Sequence, residues 1–130
     1  MFYYWSRKDV REQLRISPWI SYRLFPLTPS RRIRSSDVVE LLNKSRVGIK
    51  DPLFDAPSDL MTPEETVKRF AKSGITLADL RRWTRRTLKV APHFRITSKI
   101  TRFSEAMLNE WLAAMSAPGP HRYNKRSLAL

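Results

Sequence analysis

The stretch Thr76-Leu77-Ala78-Asp79-Leu80-Arg81-Arg82-Trp83-Thr84-Arg85-Arg86-Thr87-Leu88-Lys89 has two faces. At about 100° per residue on a helix, Leu77, Leu80, Trp83, Thr84, Thr87 and Leu88 gather on one side. Arg82, Arg85, Arg86 and Lys89 gather on the other, with Arg81 at the boundary. Thr76 and Asp79 stand at capping-box spacing and mark the helix start. A merely solvated face mixes signs to limit repulsion, and here Asp79 alone does so. A helix of this kind buries its apolar stripe and presents guanidiniums to an anion. Arginine in a major groove can hold guanine O6 and N7 together, worth about 1–3 kcal/mol of base discrimination, or it can bind phosphate.

Upstream, Thr62-Pro63-Glu64-Glu65 supplies an N-cap, proline at N1 and glutamate at N3. Val67, Phe70 and Ala71 follow at helical spacing, and Gly74 offers a left-handed turn before Thr76. Two short helices joined by about three or four residues form a helix-turn-helix. Downstream, Phe94-Arg95-Ile96 and Ile100-Thr101-Arg102-Phe103 are β-prone runs around Thr97-Ser98-Lys99, a basic hairpin that reads as a wing. A last helix is expected over 104–115.

The same signals recur in the same order nearer the start. Ser6 and Asp9 open one helix, with Val10 and Leu14 on its apolar side, and Ser17-Pro18 opens a second that runs to Leu24. Trp19 and Ile20 are expected in the core. A proline-interrupted stretch from Phe25 to Ile33 reads as a rudimentary wing, followed by a helix over 36–43. Arg32 to Leu42 lies over Arg102 to Leu112 without a gap, bringing Ile33/Phe103, Val38/Leu108 and Leu41/Trp111 into register. The expected fold class is mainly α with short β-hairpin wings, a tandem winged helix-turn-helix. Residues 1–46 form the divergent first unit, 47–60 a linker, 61–115 the second unit and 116–130 a flexible basic tail.

The 130 residues carry 25 Lys+Arg against 12 Asp+Glu, a formal net charge of +13. A field of that sign draws polyanions, nucleic acid above all. Residues 1–46 and 61–115 are each net +6, whereas 47–60 is net −2. Without cysteine there are no disulfides and no Cys-based zinc sites. His93 and His121 are far apart and read as surface or loop residues, not metal ligands. No glycine-rich phosphate loop or paired histidine occurs, so neither an enzyme nor a cofactor is expected. No apolar run approaches the ~20 residues of a membrane span, and Met1 to Trp5 is too short for a signal-peptide core. The expected setting is the cytoplasm, in association with the nucleoid and without a membrane partner.

Cap–helix–turn–helix, then Pro92-His93-Phe94-Arg95-Ile96, Arg102-Phe103-Ser104-Glu105 and Leu108-Asn109-Glu110-Trp111-Leu112, resembles the excisionase and MerR-type winged helix-turn-helix proteins. The resemblance covers about 55 residues well and the first 43 weakly. It implies sequence-specific binding of double-stranded DNA in a bacterial, phage or mobile-element system, by an excisionase-like architectural factor or a transcriptional regulator. Two departures weigh on the excision role: two units instead of one, and Thr97-Ser98-Lys99 in place of a glycine wing turn. The expected DNA-binding residues are Ser17, Ser21, Tyr22, Arg23, Arg31, Arg32 and Arg34 in the first half. In the second half they are Thr76, Arg81, Arg82, Arg85, Arg86, Lys89, Arg95, Lys99 and Arg102. Self-association along DNA and a recombinase or replication partner are further expectations. The rival readings are a replication or partition protein that binds repeated sites, and an RNA-binding protein.

Overall fold

The computed structural model describes residues 4–25 and 32–116. Among them the order is β1(Tyr4–Ser6), α1(Arg7–Leu14), α2(Pro18–Leu24), β2(Arg32–Arg34), α3(Ser35–Ser45), β3(Arg46–Val47), β4(Leu60–Met61), α4(Pro63–Arg69), α5(Leu77–Thr84), β5(His93–Thr97), β6(Ile100–Ser104) and α6(Glu105–Ser116). The fold is helix-rich mixed α/β, with two small antiparallel sheets.

Helix starts fall where the caps stand. Ser6 Oγ accepts from Asp9 N at 3.1 Å, and Ser17 Oγ accepts from Ile20 N at 3.3 Å. Thr62/Glu65 and Thr76/Asp79 each form a reciprocal capping box. Each satisfies amides the helix cannot, worth about 1 kcal/mol apiece. Gly74 takes the left-handed turn at φ 72 that closes the single 3-10 turn Ala71–Ser73. The start of α6 has a local cap and a distant one: Ser104 Oγ accepts from Met107 N at 3.3 Å, and Asp59 Oδ2 accepts from Ser104 Oγ and from Ala106 N, both at 2.9 Å.

The halves share one scheme of pairing. In the first, β1 lies antiparallel to β2 with Trp5 opposite Ile33; in the second, β4 lies antiparallel to β6 with Met61 opposite Phe103. Each time, the strand before the first helix pairs with the strand before the last. A local hairpin from Phe25 to Ile33 was expected in the first half; the last part of that stretch, in β2, pairs with β1. Most of that stretch, residues 26–31, lies outside the described residues. The expected hairpin of the second half is present as β5 and β6, with a bulge between Arg95 and Thr97.

The larger sheet, in the order β3-β5-β6-β4, joins the halves. Side chains alternate across a strand, and directly opposed residues share a face. Phe94 and Ile96 of β5 and Leu60 of β4 accordingly pack with Val10, Leu14, Ile33, Val38 and Leu42 of the first half. Phe103 packs on the other side with Phe70, Ile75, Leu80, Trp83 and Leu108. The sheet thus carries first-half helices on one face and second-half helices on the other.

Segment 47–60 is pinned along its length. Asn43 donates from Nδ2 to Leu53 O at 3.1 Å and accepts from Leu53 N at 2.7 Å, and Gln13 donates to Pro57 O. Gly48, at φ 70, passes so close to Val90 that a Cβ would stand 2.8 Å from its carbonyl oxygen.

Candidate nucleic-acid interface

Helix α5 is positioned from beneath by its apolar side. Leu80 and Trp83 are buried, Leu77 and Thr84 half-buried, and Trp83 meets Trp111 at 5.2 Å between ring centroids with a 56° tilt. The opposite arc, roughly 100° wide, holds Ala78, Arg81, Arg82 and Arg85, all exposed. Arg82 Nη2 meets Asp79 Oδ1 at 2.7 Å. Hydrogen bonding from Thr76 holds the Asp79 carboxyl below its ordinary pKa, with the Arg82 charge adding to the effect. The one acid of this helix is therefore committed to its cap and to Arg82. Arg81 and Arg85 make no ion pair among the described residues.

The helix stops at Thr84, well short of Lys89. Arg85 is its C-cap, Lys89 takes a left-handed φ of 54, and Ala91 N returns to donate to Trp83 O at 3.2 Å. Three expectations change as a result. Thr87 and Leu88 leave the buried stripe, Leu88 being 81% exposed, and Arg86 is half-buried beyond the helix end. Thr76 is exposed, but its side chain is engaged as the N-cap.

On the wing, Arg95 and Lys99 are exposed as expected. Thr97 Oγ1 accepts from Lys99 N and Ile100 N, both at 3.1 Å, so a threonine hydroxyl organises the turn where glycine would otherwise serve. Arg102 corrects the expectation of a wing contact. It is 9% exposed, opposite Phe94 on the face toward α1, and its Nε donates to Leu14 O at 2.9 Å while Nη2 donates to Arg15 O. Nη1 donates to Thr101 O at 2.7 Å. Burial pushes the Arg102 pKa below the ordinary arginine value, opposed by Glu64 and Glu65. Its guanidinium closes the carboxyl end of α1 and joins the halves.

In the first half, Ser17, Tyr22, Arg23, Arg32 and Arg34 are exposed, Ser17 serving as a cap and Arg34 pairing with Asp37 at 3.2 Å. Ser21 corrects another expectation: it is fully buried, and its hydroxyl donates to Pro18 O at 2.7 Å. Trp19 departs too, being 74% exposed instead of part of the core. Arg31 and the basic residues of 117–130 lie outside the described residues. Arg7 was not anticipated: it stands 4.5 Å over the Tyr22 ring and donates to Ser21 O at 3.1 Å and Phe25 O at 2.6 Å. His93, read as a surface residue, is fully buried in β5.

No family model matches this chain, and no curated protein or solved structure matches it either. Among the described residues no group of three or more His, Asp or Glu could hold a metal ion, and no helix is long and apolar enough to cross a membrane.

Proposed function

We propose that this chain is a sequence-specific double-stranded DNA-binding protein built as a tandem winged helix-turn-helix, acting as an excisionase-like architectural factor or a transcriptional regulator. The observation that carries the reading is the arc of Arg81, Arg82 and Arg85 beside Ala78 on α5, raised clear of the core by Leu80 and Trp83. Asp79, its one acid, is already committed to the helix cap. A short helix with three forked cations on its free face suits the major groove. Arg95 and Lys99 on the hairpin add positive charge to the same half, positioned as phosphate or minor-groove contacts. The net charge of +13 supplies attraction to the backbone whatever the sequence.

Selection from a random duplex pool tests the proposal, with binding of the recovered duplex titrated against salt. The expected outcome is an enriched motif whose log affinity falls linearly with log salt, by about 0.9 per phosphate neutralised. Joint replacement of Arg81 and Arg85 by alanine should weaken the recovered duplex at least about tenfold without lowering the melting temperature, each lost base contact being worth about 1–3 kcal/mol. No enriched motif, together with tighter binding to RNA, would overturn the proposal in favour of RNA recognition.

A further inference from the structure

Helix α2 has no acid, and its exposed side is aromatic. Taking about 100° per residue, Tyr22, Trp19 and Arg23 form one contiguous arc, while Ile20, Ser21 and Leu24 turn inward. Trp19 is 74% exposed and Tyr22 50% exposed. A single exposed aromatic on a protein surface needs no explanation. Two on one turn of helix, flanked by Arg23 and by Arg7 over the Tyr22 ring, form a built surface. Arg7 also holds two carbonyls at the end of α2, so the ring and the helix are fixed together before any partner arrives.

The repeat says which partner. Laying the cap Ser17 on the cap Thr76 places Trp19 on Ala78, Tyr22 on Arg81 and Arg23 on Arg82. The same three positions are exposed in both helices, and buried Ser21 falls on buried Leu80. What α5 presents as small-basic-basic, α2 presents as aromatic-aromatic-basic. An apolar side chain in a major groove has one strongly matched feature, the thymine 5-methyl group.

We propose that Trp19, with Tyr22, forms a second reading head that recognises thymine methyl groups in the major groove. The assignment rests on the DNA-binding reading above. The first half thereby reads T-containing sequence by apolar contact, while the arginines of α5 read by hydrogen bonds. Arg23 and Arg7 supply the cations that keep this apolar patch against a polyanion.

The test compares the duplex recovered by selection with the same duplex carrying deoxyuridine for thymidine, which removes the methyl but keeps pairing, phosphates and charge. Wild-type protein should bind the deoxyuridine duplex roughly fourfold more weakly per contacted methyl. Trp19→Ala should weaken binding to the thymidine duplex by about tenfold and lose the sensitivity to deoxyuridine, while Trp19→Phe retains part of both. Circular dichroism and melting of each variant should match wild type, since Trp19 is exposed. A duplex bound tightly but indifferent to the deoxyuridine exchange would overturn this inference and leave the DNA-binding reading standing. So would equal deoxyuridine sensitivity in Trp19→Ala and wild type, or unchanged DNA binding by Trp19→Ala. Absence of any duplex preference in the wild-type chain would overturn both.

Discussion

His93 donates from Nδ1 to Ala91 O at 2.8 Å, while its Nε2 is buried without a hydrogen-bond partner among the described residues. Burial, and secondarily the Arg95 charge, lower its pKa from 6.5, against the opposing contact with Ala91. A proton added at Nε2 would be a charge with nothing to accept from it. The unfolded chain takes up that proton near pH 6.5, whereas the folded chain resists until lower pH. Its contribution to stability is therefore complete above that pH and is lost as pH falls through the folded pKa. The melting temperature should drop between pH 7 and pH 5, and His93→Asn, which retains a donor toward Ala91, should flatten that drop. Parallel declines in both proteins at matched ionic strength would exclude His93 as the cause. Neither the burial of His93 nor that of Arg102 is legible locally. Both residues are polar and stand in a hairpin whose neighbours, Arg95 and Lys99, are exposed. Only the facing helices separate them.

At the scale of elements, the capped starts were readable and so was the end of α2 at Leu24, but the end of α5 was not. Ser6, Ser17, Thr62 and Thr76 each bond an amide three residues ahead, a short-range contact that needs no other part of the molecule. Thr76→Ala removes one such bond at the head of α5 and should lower stability in urea by about 1 kcal/mol. The affinity of the folded fraction for DNA should remain within a few-fold of wild type, in contrast to Arg81 and Arg85. A loss of affinity as large as theirs would show that the Thr76 hydroxyl contacts DNA as well as capping. The end of α5 has another origin. Thr87 and Leu88 fit the helical period, but the chain must reach β5, and Ala91 is drawn back to Trp83 and buried in the second core. That requirement belongs to the sheet. The share of Asp59 in capping α6 is non-local in the same way: Met107 N bonds Ser104 Oγ locally, but nothing in sequence signals that an aspartate forty-five positions earlier joins them.

For the whole molecule, the repeat describes how each half is connected but not how its core is filled. Leu60, Phe94 and Ile96 lie beyond the first half in sequence and pack inside its core, while Arg102 closes the end of α1. A piece comprising residues 1–50 should therefore lack a cooperative unfolding transition, because its core is missing those three side chains and it falls in the size range where burial is marginal. A sigmoidal urea curve with native far-UV dichroism from that piece would contradict the shared sheet. The sharing also bears on recognition. In the proposed reading, α2 and α5 keep one fixed relation through the packed sheet, with no free linker between them.

The sequence by itself determined the starts of the capped helices, the basic hairpin, the repeated order of two helices followed by a later third, and the arginine arc of α5. All of these follow from spacing, capping and period, which act over a few residues. Tertiary structure alone decided that Ser21, His93 and Arg102 face inward, that Trp19 faces solvent, where α5 ends, and that both halves fold onto one sheet. Those outcomes depend on which surface arrives opposite each side chain. Trp19 and Leu24 are both apolar residues of one short helix, and only the packing of α2 against the first core leaves Trp19 in water and turns Leu24 inward.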